Sequence, residues 1–132
     1  FVSCGPFVRF TATDTDGTEV ELGQMVGVDD GGEVALNVVV EAPTWIALTE
    51  VRLWENGKVV DVVDISAPLE PVVRLNHSFT LKPEKDGWVA VEVIGTGSLY
   101  PVDSSTPYAL TNPIEIDADG DGVWTPPNKA QN

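Results

Sequence analysis

The chain has 132 residues, 42% hydrophobic and 21% charged, which is the size and composition of one domain with a buried core. Seven lysines and arginines against 21 aspartates and glutamates give a net charge of −14, which sets nucleic acid and anionic membranes aside as partners. A single cysteine, Cys4, and a single histidine, His77, exclude an internal disulfide and a zinc cluster, and no run of about 18 apolar residues exists to span a bilayer.

The chain opens Phe1-Val2-Ser3 with neither an initiator methionine nor a basic leader, as a piece of a longer or processed protein would. Residues 1–12 read as a strand broken at Gly5-Pro6, with Cys4 as a small apolar residue in or beside it. Asp14 to Gly17 supply a turn, and Thr18 to Leu22 return as an antiparallel partner. From Glu33 to Glu41 the residues Val34, Leu36, Val38 and Val40 share one face, the period-2 pattern of a half-buried strand.

Asn56-Gly57 lies between two β-rich runs and predicts a hairpin over 50–63 with a two-residue type I′ turn. That turn sets Glu55 opposite Lys58, Trp54 opposite Val59, Leu53 opposite Val60, Arg52 opposite Asp61 and Val51 opposite Val62. Leu53, Val60, Val51 and Val62 then face the core, Arg52 and Asp61 pair outside, and Trp54 points outward.

Farther on, Val73, Leu75, His77, Phe79 and Leu81 alternate with polar residues, which makes His77 a hydrogen-bonded core histidine. Lys82 to Gly87 form a charged turn, and Trp88 to Ile94 a strand with Val89, Val91 and Val93 inward. Residues 95–107 make a long irregular connection, and Ile114 and Ile116 alternate in a last short strand. Helical periodicity is nowhere sustained, so the fold class expected is all-β: an immunoglobulin-like β-sandwich of about six to eight short antiparallel strands, one domain over residues 1–132, with a small barrel as the second choice.

The residues that converge on a chemistry follow that last strand. Asp117, Asp119 and Asp121 alternate with small residues and end at Gly122, a D-x-D-x-D-G spacing that points carboxylates at one centre and suits the hard cation Ca²⁺. In an EF-hand-like count these aspartates take positions one, three and five, and Val123 offers its carbonyl. Position twelve falls on Asn128, so the bidentate glutamate is missing and affinity is modest or completed from elsewhere. The alternative is an ion-free loop held by Asx turns.

Catalytic patterns are missing. There is no G-x-S-x-G, no P-loop and no G-x-G-x-x-G opening a helix, so the chain is expected to be non-catalytic. Four tryptophans, Trp45, Trp54, Trp88 and Trp124, leave open an autonomous carbohydrate- or protein-binding module, with the outward Trp54 as its stacking residue.

Gly5-Pro6-Phe7-Val8-Arg9-Phe10, Glu41-Ala42-Pro43-Thr44-Trp45, and above all Thr111-Asn112-Pro113-Ile114 running into Asp117-Ala118-Asp119-Gly120-Asp121-Gly122 and Trp124-Thr125-Pro126-Pro127, resemble one family. It is the C-terminal β-sandwich region of bacterial metallohydrolases with a polymerase and histidinol phosphatase (PHP) domain, the carbaryl-hydrolase type. The resemblance spans nearly the whole chain; Cys4 stands where asparagine is expected. It implies an accessory domain beside an upstream hydrolase or phosphoesterase domain of the same polypeptide. The histidine-rich metal site belongs to that upstream domain, so no catalytic residue carries over. A calcium loop of modest affinity fits an extracytoplasmic compartment, periplasmic or secreted.

Overall fold

The computed structural model describes residues 1–29, 31–65 and 72–127. Among them are eleven strands and no helix: β1 (Val2–Cys4), β2 (Phe7–Thr13), β3 (Glu19–Val20), β4 (Met25–Gly27), β5 (Val34–Glu41), β6 (Ala47–Glu55), β7 (Lys58–Asp64), β8 (Val73–Leu81), β9 (Gly87–Thr96), β10 (Tyr108–Leu110) and β11 (Ile114–Asp117). Six of these, β2 and β5 to β9, have seven residues or more, and most of the rest are pieces of two or three residues.

They form two sheets packed as a β-sandwich. The smaller runs β3-β2-β5-β8. In the larger, β9 is the spine: β6 pairs along one edge and carries β7, while the other edge takes first β11 and then β10. β1 extends the sheet beyond β10 and β4 beyond β11, the latter as a parallel pair in an otherwise antiparallel fold.

Alternation explains the core. Val34, Leu36, Val38 and Val40 from the smaller sheet meet Val51, Leu53, Val89, Val91 and Val93 from the larger, all essentially fully buried. Each such side chain contributes roughly 1.5–3 kcal/mol of transfer free energy. Gly5, at φ 111°, lets the chain leave β1 in one sheet and enter β2 in the other; a Cβ there would press on Ile46 and Leu99.

Several expectations need correction. In the hairpin, Glu55↔Lys58 and Trp54↔Val59 hold, but a bulge makes Val60 an extra residue, and the pairs become Leu53↔Asp61, Arg52↔Val62 and Val51↔Val63. The added residue throws Val60 and Val62 out to solvent, 47% and 45% exposed, and brings Val63 onto the core instead. Arg52 bonds Glu50 and Glu92 rather than Asp61.

In β8 a second bulge, opposite Val40 and Glu41, inverts the end of the strand: Arg74 turns inward and Val73 outward. His77 is half-buried as the alternation requires, but its ring meets the edge of Phe79 at 4.7 Å rather than a hydrogen-bond partner. Cys4 is exposed in β1, because that short strand lies at the sheet edge, away from the core. The 97–107 connection is fastened by buried Leu99, whose backbone takes part in three hydrogen bonds within the loop.

Candidate metal centre

β11 ends where three chain segments meet. Ile114 and Ile116 fill the core, Ile116 sits opposite Gly87 at the start of β9, and the Asp117 carbonyl accepts the amide of Val28 just beyond β4 at 2.9 Å. The chain then folds back over its own strand end, leaving Asp117 only 1% exposed.

The carboxylate of Asp117 is the hub of that loop. Its Oδ1 accepts the amide of Gly120 at 2.9 Å and its Oδ2 the amide of Gly122 at 2.8 Å. Both glycines sit at positive φ, 69° and 82°, and a Cβ on Gly120 would stand 2.9 Å from the Val28 carbonyl oxygen. Asp119 and Asp121 each close an Asx turn, accepting the amides of Asp121 and Val123 at 3.1 and 2.7 Å.

A residue from another part of the chain completes the arrangement. Asp86, in the turn between β8 and β9 and 4% exposed, accepts the amide of Ala118 on one oxygen and that of Thr125 on the other, both at 2.9 Å. Trp124 closes the same junction from above, donating its indole N–H to the Gly87 carbonyl at 2.7 Å. Carboxylate oxygens of Asp86, Asp117 and Asp119 thereby lie within 4.8 Å of one another.

This spacing fits one hard cation. Metal–oxygen bonds of about 2.3–2.6 Å, the Ca²⁺ range, place two ligands of the same ion up to about 5 Å apart, which the three carboxylates satisfy. Each carboxylate has roughly four lone-pair sites, so the amide bonds orient the oxygens without exhausting them. Without a cation the like charges of the three carboxylates oppose one another, and a bound cation would remove that opposition.

Of the four residues expected as ligands, the structure groups Asp117 and Asp119 and leaves Asp121 out of the cluster; Val123 is 62% exposed at the loop surface. Asn128, at position twelve of the EF-hand-like count, lies outside the described residues. Asp86 carries no signal in the sequence, because nothing in a charged turn 32 positions from Ala118 announces that it folds onto the aspartate loop. Comparison with protein-family models, curated proteins and solved structures gives no match for the chain.

Proposed function

We propose that this chain is a non-catalytic accessory β-sandwich, immunoglobulin-like in outline, of a PHP-type metal-dependent hydrolase or phosphoesterase. In this reading a structural Ca²⁺ held by Asp86, Asp117 and Asp119 locks its C-terminal segment onto the body. The observation that carries the ion is the convergence of three carboxylates within 4.8 Å, two of them buried, at the junction of β4, β9 and β11. The accessory role rests on the resemblance of the T-N-P-I…D-x-D-G-D-G…P-P pattern, with the chemistry assigned to an upstream domain of the same polypeptide. An ion of this kind suits extracytoplasmic calcium levels.

A thermal-shift titration tests the ion: melting temperature should rise with Ca²⁺ from micromolar to millimolar and fall back with chelator, while Mg²⁺ at equal concentration has a smaller effect. Identical melting in all three conditions removes the ion from the proposal. The coding sequence upstream of Phe1 tests the accessory role, which requires a histidine-rich PHP domain there.

A further inference from the structure

The outer face of the larger sheet, the side of β9 opposite the core residues Val89, Val91 and Val93, carries a cavity of about 390 Å³. Trp54 and Trp88 form its walls, Ala90 its floor, and Leu110, Pro113 and Glu92 its rim. Register builds it: Trp54 lies directly across from Ala90, while Trp88 and Glu92 flank Ala90 two residues away on the same face of β9. Among the described residues the ring–ring contacts are Phe1 with Phe7 and His77 with Phe79, so the two indoles do not stack on each other. The small Ala90 side chain leaves the gap between them.

The polar groups around this gap are already committed. Glu92 accepts the Trp54 indole N–H at 3.2 Å and approaches the Arg52 guanidinium at 3.5 Å through one oxygen, and accepts the Tyr108 hydroxyl at 2.7 Å through the other. The Thr111 hydroxyl accepts the amide of Val91. Charge nevertheless remains. Arg52 is shared between Glu50 and Glu92, so the three groups sum to −1, and among the described residues Glu92 is the one charged residue lining the cavity.

We propose that this cavity binds a quaternary ammonium group, of the trimethylammonium type found on choline or a trimethylated lysine. The requirement is a positive charge that brings no hydrogen-bond donors. A guanidinium or primary ammonium brings at least three N–H donors, more than the acceptor sites Glu92 has left beside Trp54, Tyr108 and Arg52, and a sugar would bring hydroxyls to walls with few free partners. A neutral alkyl group would fill the space and leave the carboxylate unused. Methylated nitrogen spreads its charge over apolar surface, which indole faces and a nearby carboxylate attract together. None of these residues belongs to the aspartate loop, so this site and the calcium site stand or fall separately.

The test is titration of the whole chain with tetramethylammonium chloride and choline chloride, against sodium chloride at equal ionic strength. The readouts are the indole N–H resonances and tryptophan fluorescence. Saturable shifts of the Trp54 and Trp88 resonances are expected, with 3,3-dimethylbutan-1-ol, the neutral isostere of choline, binding about tenfold more weakly. Glu92→Gln should erase most of that difference. Ala90→Leu, which fills the floor and leaves the Glu92 network intact, should abolish binding without lowering the melting temperature. Equal binding of the neutral isostere, shifts no larger than those from sodium chloride, or saturable binding of methyl glucoside in place of the ammonium would each overturn the proposal.

Discussion

The aspartates on either side of the loop make opposite predictions. Asp86 lies far away in sequence yet bonds Ala118 and Thr125, whereas Asp121 lies within the motif yet stays outside the carboxylate cluster. Asp86→Asn should therefore remove calcium-dependent stabilisation as fully as Asp117→Asn does, and Asp121→Asn should retain most of it. Isothermal titration with Ca²⁺ separates the three. The motif was legible because Asp-x-Asp-x-Asp-Gly is local chemistry; Asp86 was not, because its role exists only after β9 is placed beside β11.

Arg74 is the same kind of case: the bulge turns it inward at 5% exposure, where it donates to the Ile46 and Pro43 carbonyls at 2.8 and 2.5 Å while its Nε has no partner among the described residues. Arg74→Lys replaces a fork by a point donor and should cost about 1–3 kcal/mol, read from urea denaturation. Glu55 gives a pH prediction. Burial first, and the charge of Glu84 second, raise its pKa above the usual glutamate value. Its ionised form is thus disfavoured on folding, and the stability present below the ordinary glutamate pKa is lost as pH rises through the raised one. Glu55→Gln should melt higher than the parent at pH 7 and at the same temperature near pH 4.

At the scale of elements, strand existence followed from alternation and strand register did not. The four buried residues of β5, and Val89, Val91 and Val93 of β9, are the ones the period-2 pattern selects, because both strands are central and each has a face on the core; Ala90, also buried, lies on the opposite face of β9. The β6-β7 hairpin shows where that reasoning stops. Asn56 and Gly57, at φ 50° and 84°, form the turn that Asn-Gly predicts, and the first two pairs follow from it. Beyond them the bulge at Val60 resets every pair. β7 is an edge strand with one neighbour, so little burial is lost when its valines face solvent, and the apolar pattern had no power to forbid the shift.

The Asn56-Gly57 turn also reaches the candidate site. The Asn56 side-chain oxygen accepts the amide of Trp88 at 2.9 Å, and a Cβ on Gly87 would fall 2.1 Å from that oxygen. Gly87→Ala should break this contact, displace the adjoining Asp86, and lower both the melting temperature and the affinity for Ca²⁺. Gly57→Ala should cost about 1 kcal/mol of stability, from its positive φ alone, and leave the affinity unchanged. Measuring melting and calcium titration on both variants distinguishes a turn that merely folds from one that also positions the carboxylate.

For the molecule as a whole, the aspartate loop supplies a closure that strand pairing leaves weak. β4 and β11 form a short parallel pair of three residues, and past it the chain is held by the bonds of Asp117 and Asp86 to loop amides. An ion bound only in the folded state adds RT ln(1 + [Ca²⁺]/Kd), about 2.7 kcal/mol at 100 times Kd, which for a domain of this size moves the melting temperature by roughly 8–13 °C. The gain should not be spread evenly. Chelation should first loosen the elements the carboxylates tie together, while the β6-β9 and β2-β5 ladders, held by strand pairing and core packing, lose only what the fall in global stability removes. In hydrogen exchange the amides of Val28, Ala118, Gly120 and Gly122 should therefore exchange by local opening in chelator, ahead of Val38 and Val91, which lose only the share set by global stability. Exchange of these four amides no faster than that of Val38 and Val91 in chelator would mean that calcium acts on global stability without fastening this corner, and no acceleration at these four amides would mean that hydrogen bonds alone hold the loop.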